Sequence, residues 1–136
     1  MNIVVVWSSP NKDGLTASAK ESFLRGIRKT DSKIEEIHLN ETKMEHCRAC
    51  GRGWGLCSSA GKCVIKDDFE DIYSELTKAD GVECLHSMEE ALKHMGMRAY
   101  DRVPVIRFNK EYMLPALENA GEIYSIRVKD GFDMQY

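Results

Sequence analysis

The apolar positions of this chain recur with two different periods, and the change between them marks the elements. Asn2–Trp7 reads NIVVVW, an unbroken β-branched run. Such a run predicts a strand buried on both faces, as in a parallel sheet. SSPNKDG then supplies turn residues. From about Leu15 to Lys29 the period becomes helical. Ala19, Phe23 and Ile27 recur every fourth position with Leu24 beside them, giving one apolar stripe. KIEEIHL (33–39) alternates only in part and predicts a weaker strand nearer a sheet edge. Residues 40–63 follow neither period.

VIKDDFEDIYSELTKAD (64–80) predicts a helix starting at Asp67 or Asp68, with Asp67 and Glu70 at capping-box spacing. Phe69, Ile72, Tyr73 and Leu76 form its inward face. HSMEEALKHMGM (86–97) predicts another helix, capped by Ser87 and Glu90 and stopped at Gly96. RAYDRVPVIRF (98–108) predicts a late strand with Pro104 at an edge or end. The pattern is helical again from Asn109, with Pro115 requiring an early turn or a kink. Strands that alternate with helices imply βαβ units in a parallel sheet, an α/β fold.

In such a sheet the loop after the first strand lies at the carboxyl edge, where ligands bind. A helix N-terminus there offers backbone N–H groups and partial positive charge to an anion. Ser8, Ser9, Asn11 and Thr16 add polar side chains, and Gly14 permits close approach. The loop lacks Gly-Lys-Ser/Thr and GxGxxG, so neither a nucleoside-triphosphatase P-loop nor a dinucleotide fingerprint is present. A polar turn that merely begins a helix is the plainer reading of the same residues.

Composition narrows the partners. The 136 residues suit a single domain, 1–136, with a core of its own. A formal net charge of −3 argues against nucleic acid or an anionic membrane surface, which call for a concentrated basic face. No run approaches the roughly 18 apolar residues of a membrane span. No basic segment precedes an apolar stretch at the start, so the expected location is cytoplasmic. In that compartment the run Cys47-x2-Cys50-x6-Cys57-x5-Cys63, inside an irregular loop at 43–63, reads as metal or redox chemistry before disulfides. The spacing leaves a [4Fe–4S] cluster, zinc, a redox disulfide or no metal open.

Three stretches together resemble one family. VVVWSSPNKDGLTA, CRACGRGWGLCSSAGKCVIKDDFEDIYSELTKADG and ALKHMGMRAYDRVP are similar, in order, to the flavodoxin-like NADPH-dependent FMN reductases, a family that includes iron–sulfur flavoproteins. The resemblance implies a flavodoxin-like parallel sheet with helices on both faces, a three-layer sandwich. It implies non-covalent FMN, a homodimer or higher homo-oligomer, and electrons passed from NAD(P)H to flavin, quinone or a related small-molecule acceptor. The phosphate loop would be Ser9, Pro10, Asn11, Gly14, Leu15 and Thr16, with Leu15 standing where the family often has Asn. No acid, base or nucleophile is implied, because the flavin carries the chemistry. Gly53 stands where the compact cluster motif of the iron–sulfur flavoproteins has its third cysteine.

The likeness breaks after Gly81. The family continues into a full third strand, a loop around the flavin, a helix and a fourth strand. This chain runs instead into VECLHSMEEALKHMGM. The resemblance therefore implies that the centre of the sheet is missing after Gly81. The third strand would be a stub at Val82–Leu85 and the fourth absent, with a deletion or a junction between pieces of a longer chain near 81–82. Stripping a sheet of its middle strands exposes apolar edges, which favours the junction. Two other readings stand beside the flavin enzyme. One is an iron–sulfur or zinc electron carrier using the Cys47–Cys63 loop. The other is a non-catalytic, truncated flavodoxin-like protein.

Overall fold

The computed structural model describes residues 1–51, 55–85 and 110–131. The chain divides into two compact units, 1–40 with 79–136, and 41–78. The fold is α/β with flavodoxin-like character.

The first unit is built on three parallel strands: β1 (Asn2–Trp7), β2 (Lys33–His38) and β3 (Gly81–Leu85), in the order β2-β1-β3. Ile3 pairs with Ile34 on one side and Gly81 on the other; Trp7 pairs with His38 and Leu85. Ile3, Val4, Val5 and Val6 are all buried. Side chains alternate between faces along a strand, so β1 is covered on both. This is the outcome the NIVVVW run predicts. β2, where only Ile37 is buried, is the weaker strand expected from its partial alternation.

Helix α1 (Leu15–Ile27) follows β1 and lays Ala19, Phe23, Leu24 and Ile27 into the core with Ile3 and Val5. Helix α4 (Lys110–Asp130) adds Leu117 and Tyr124 to the same cluster. The Phe23 and Tyr124 rings meet at 5.8 Å, tilted by 49°. The two helices cross at glycine on both sides. A Cβ on Gly26 would land on the Glu118 carbonyl oxygen, and one on Gly121 on the Phe23 carbonyl oxygen. The contact is backbone against backbone and leaves no room for a side chain.

Polar groups frame that crossing. Glu118 takes Arg25 at 3.0 Å and Lys29 at 2.9 Å. Beyond the end of α1, Thr30 donates to the Ile27 carbonyl at 2.7 Å, and the hydroxyls of Thr30, Ser32 and buried Ser125 lie within hydrogen-bond distance of one another. The Tyr124 hydroxyl donates to the Val82 carbonyl at 3.0 Å and ties α4 to β3. Pro115 sits inside α4, beyond the first turn, where its ring cannot donate to the carbonyl one turn back.

The short third strand expected at Val82–Leu85 is present and begins one residue earlier, at Gly81. β3 pairs with β1 from Gly81 to Leu85, and β1 is the central strand of the described sheet. The expected helix at 86–97, the late strand at 98–108 and the fourth-strand question lie outside the described residues.

The second unit contains a short helix α2 (Leu56–Ala60), which ends at Gly61 in the left-handed region (φ +62°), and helix α3 (Phe69–Lys78). Two aspartates organise it. Asp68 accepts from the Lys43 N–H at 2.7 Å, while its own N–H donates to the Lys43 carbonyl. Asp67 accepts from the N–H groups of Glu45 (2.8 Å) and Phe69 (3.1 Å). The expected Asp67–Glu70 capping box is therefore not formed. Asp67 closes a two-residue turn onto Phe69, and Glu70 faces Lys66 instead. The expected inward face is also only partly so. Leu76 is buried, whereas Phe69 and Tyr73 are exposed, their rings 6.1 Å apart.

Candidate functional site

β1 has β2 on one side and β3 on the other, so the chain leaves β1 first toward one edge and later toward the other. That reversal is a topological switch point, and the crevice outside the carboxyl ends of such strands is the ligand site of open α/β sheets. The segment placed there is Ser8–Gly14, followed by the first turn of α1.

The sheet sets the loop's origin and the helix sets its end. Gly14 occupies the N-cap of α1 in extended backbone (φ −80°, ψ −173°), and no side chain caps the helix. The first turn holds no acidic residue. Its N–H groups and partial positive charge are thus presented without an attached carboxylate. The Gly14 carbonyl accepts from both the N–H and the hydroxyl of Ser18, at 3.0 and 3.1 Å, which fixes the start of the helix.

The six expected phosphate-loop residues fall along this turn. Ser9, Gly14, Leu15 and Thr16 are half-buried; Pro10 and Asn11 are exposed. Ser9 does more local work than expected. Its hydroxyl donates to the Asn11 carbonyl at 3.1 Å and accepts from the Asn11 N–H at 3.2 Å, closing a small turn. Ser9 shapes the loop, and Thr16 is the hydroxyl carried by the first turn itself.

Two anchors come from beyond the loop. The Ser8 hydroxyl donates to Asn40 Oδ1 at 3.0 Å, and His38 Nε2 lies 3.0 Å from the Ser9 carbonyl oxygen. The His38 ring stacks on Trp7 at 3.9 Å with the planes 7° apart. Lys20 Nζ sits 4.5 Å from the centre of the Trp7 ring and bonds Glu36 at 2.7 Å and Glu21 at 2.9 Å. Burial pushes the Lys20 pKa down, but the bonds it donates to Glu36 and Glu21 outweigh this and hold it above the ordinary value. Hydrogen bonding from Lys20 holds Glu21 below its own.

His38 and Asn40 were missed by sequence reasoning. They stand some thirty residues from the loop in sequence. The signal that could have found them is the register: a parallel pairing that starts Asn2 opposite Lys33 puts Trp7 opposite His38.

The four clustered cysteines are all free thiols, with Cys47 and Cys57 exposed and Cys50 and Cys63 half-buried. Sulfurs of Cys47 and Cys63 accept from the N–H groups of Ala49 and Ile65, both at 3.4 Å. Among the described residues no three Cys, His, Asp or Glu side chains converge as ligands of one metal ion. As arranged, these thiols do not fit a four-thiolate cluster or zinc cage.

With that geometry in view, the chain is similar to several curated proteins. It is 26% identical over 82 residues to an iron–sulfur flavoprotein of Archaeoglobus fulgidus, and 28% identical over 82 residues to one of Methanocaldococcus jannaschii. Each match takes in 60% of this chain, but only 36% and 40% of the relative. The chain thus spans well under half the length of these relatives. It is also 33% identical over 122 residues to the ribosome-binding ATPase YchF of Haemophilus ducreyi, a match covering 83% of this chain and 30% of that protein. No family model and no solved structure matches it. No helix among the described residues is long and apolar enough to cross a membrane.

Proposed function

We propose that this chain holds the phosphate of FMN in the Ser8–Thr16 segment and belongs to an oxidoreductase. That enzyme would pass electrons from NAD(P)H to a flavin, quinone or related small-molecule acceptor. The observation that carries the reading is the uncapped N-terminus of α1, free of carboxylates in its first turn, at the β1/β3 switch point. The similarity to iron–sulfur flavoproteins supports a flavin at that place. Residues present fit a phosphate monoester: backbone N–H groups of the first turn, the Thr16 hydroxyl, and a loop pre-shaped by Ser9. FMN would supply a hydride acceptor, and the chain's own task is to bind and orient it. We further propose a cytoplasmic homodimer or higher homo-oligomer.

The similarity to an ATPase does not lead to a second reading. The loop after β1 carries neither the second glycine nor the Lys-Ser/Thr pair that a triphosphate loop needs.

Titrating the purified protein with FMN and with riboflavin tests the proposal. FMN, the phosphate-bearing flavin, should bind with quenched fluorescence and at least about tenfold more tightly than riboflavin, from one or two charge-assisted hydrogen bonds. Thr16→Ala should remove part of that preference. Equal affinity for both flavins, or no saturable binding, would overturn the site. A brown, iron-containing protein would move the function to the Cys47–Cys63 loop.

A further inference from the structure

The polar groups of a seven-residue loop bind an anion well only if the loop already holds their geometry, because ordering it on binding costs affinity. Most of Ser8–Gly14 is exposed, so its shape rests on few contacts. Two of them come from the end of β2 and the residues just past it.

We propose that His38 is a positioning residue for the anion loop, acting through the Ser9 carbonyl. This role rests on the proposed flavin site. A carbonyl oxygen only accepts, so the 3.0 Å contact requires His38 Nε2 to carry the proton. The donor is itself held in place: its ring lies flat on Trp7, which is 7% exposed and ends the central strand. Trp7 and His38 are paired across the β1–β2 ladder, so the bond runs from the rigid sheet to the second residue of the loop. One residue earlier, Ser8 donates to Asn40. The Ser9 hydroxyl then folds the loop over Asn11. Donor, carbonyl and turn form one chain of contacts that leads from the sheet to the anion-facing backbone.

Two substitutions separate the parts of this device. His38→Phe keeps a ring for Trp7 to stack on and removes the donor. His38→Gln keeps an N–H near the Nε2 position. For His38→Phe we expect an unchanged melting temperature, an FMN dissociation constant raised roughly threefold to tenfold, as for one lost hydrogen bond, and a riboflavin constant unchanged. His38→Gln should restore FMN affinity to within about twofold of wild type. Wild-type FMN affinity in His38→Phe would overturn the proposal, as would an equal loss for FMN and riboflavin. Both results leave the flavin site standing. A wild-type protein that binds neither flavin, or shows no preference for FMN, overturns the flavin reading and this one with it.

Discussion

The two units of this chain spend their side chains differently. In the unit around β1 one apolar cluster is fully closed in and charges are matched across helices, although Tyr112, Ile123 and Ile126 of α4 stay exposed. Ile3, Val4, Val5, Leu24 and Ile27 have no exposure, and Glu118 collects two cations. In residues 41–78 the order of emphasis is reversed. Backbone N–H groups are caught by Asp67 and Asp68, while Met44, Val64, Phe69 and Tyr73 stay exposed and four thiols remain unlinked. The first unit has the larger buried cluster; the second buries Ile65 and Leu76 and relies besides on N–H groups that donate to two carboxylates. One chain can therefore combine a well-buried scaffold for its loop with a segment that keeps large apolar side chains exposed.

The largest difference between the units should appear when one aromatic is cut from each. Phe23→Ala should cost about 3–5 kcal/mol of unfolding free energy, as for a buried ring. Phe69→Ala, 48% exposed, should stay within about 0.5 kcal/mol. Urea denaturation of both variants measures the difference, and similar losses would mean that Phe69 is buried in solution. Next in size is Gly26→Ala. Its methyl group would press on the Glu118 carbonyl, so a residue that normally favours helix should cost about 1–3 kcal/mol. A stabilised variant would show that the helices do not cross so closely.

The smallest effect is in pH. Glu21 and Glu118 are held below their ordinary value of 4.5, Glu21 by hydrogen bonding from Lys20 and Glu118 by that from Lys29 and Arg25. A carboxylate whose folded pKa is depressed adds stability above its unfolded value, and that stability is lost as pH falls through the folded one. Lys20 is raised above 10.5, so its contribution is complete below that value and lost as pH climbs past it. Melting temperature should be flat between these limits, with a modest decline below about pH 4.5 and another above about pH 10.5. Lys20→Met should flatten the alkaline decline.

Much of the first unit was legible because each residue there obeys a single rule. NIVVVW can only be a buried strand if its sheet is covered on both sides, and the Ala19–Phe23–Ile27 stripe has one helical reading. Legibility failed where a residue serves two neighbours. Asp67 looked like half of a capping box, but one of its oxygens is taken by Glu45, a partner that spacing cannot reveal. β3 was read to within one residue despite its shortness, because Val82–Leu85 follows the turn residues at the end of α3. In the candidate site, the polar turn and its place at the sheet edge could be read, along with the absence of a triphosphate motif. The Trp7–His38 stack could not, since it exists only once the strand register is known.

The glycine crossing of α1 and α4 has a mechanical meaning for the loop. Where main chain rests on main chain at Gly26 and Gly121, no side chain cushions the contact, so α1 resists sliding there to accommodate a guest. Any adjustment when an anion arrives falls on the few bonds between Trp7 and Leu15. Amide chemical-shift changes on ligand addition should therefore stop abruptly at the first turn of α1 and leave Phe23 and Gly26 silent.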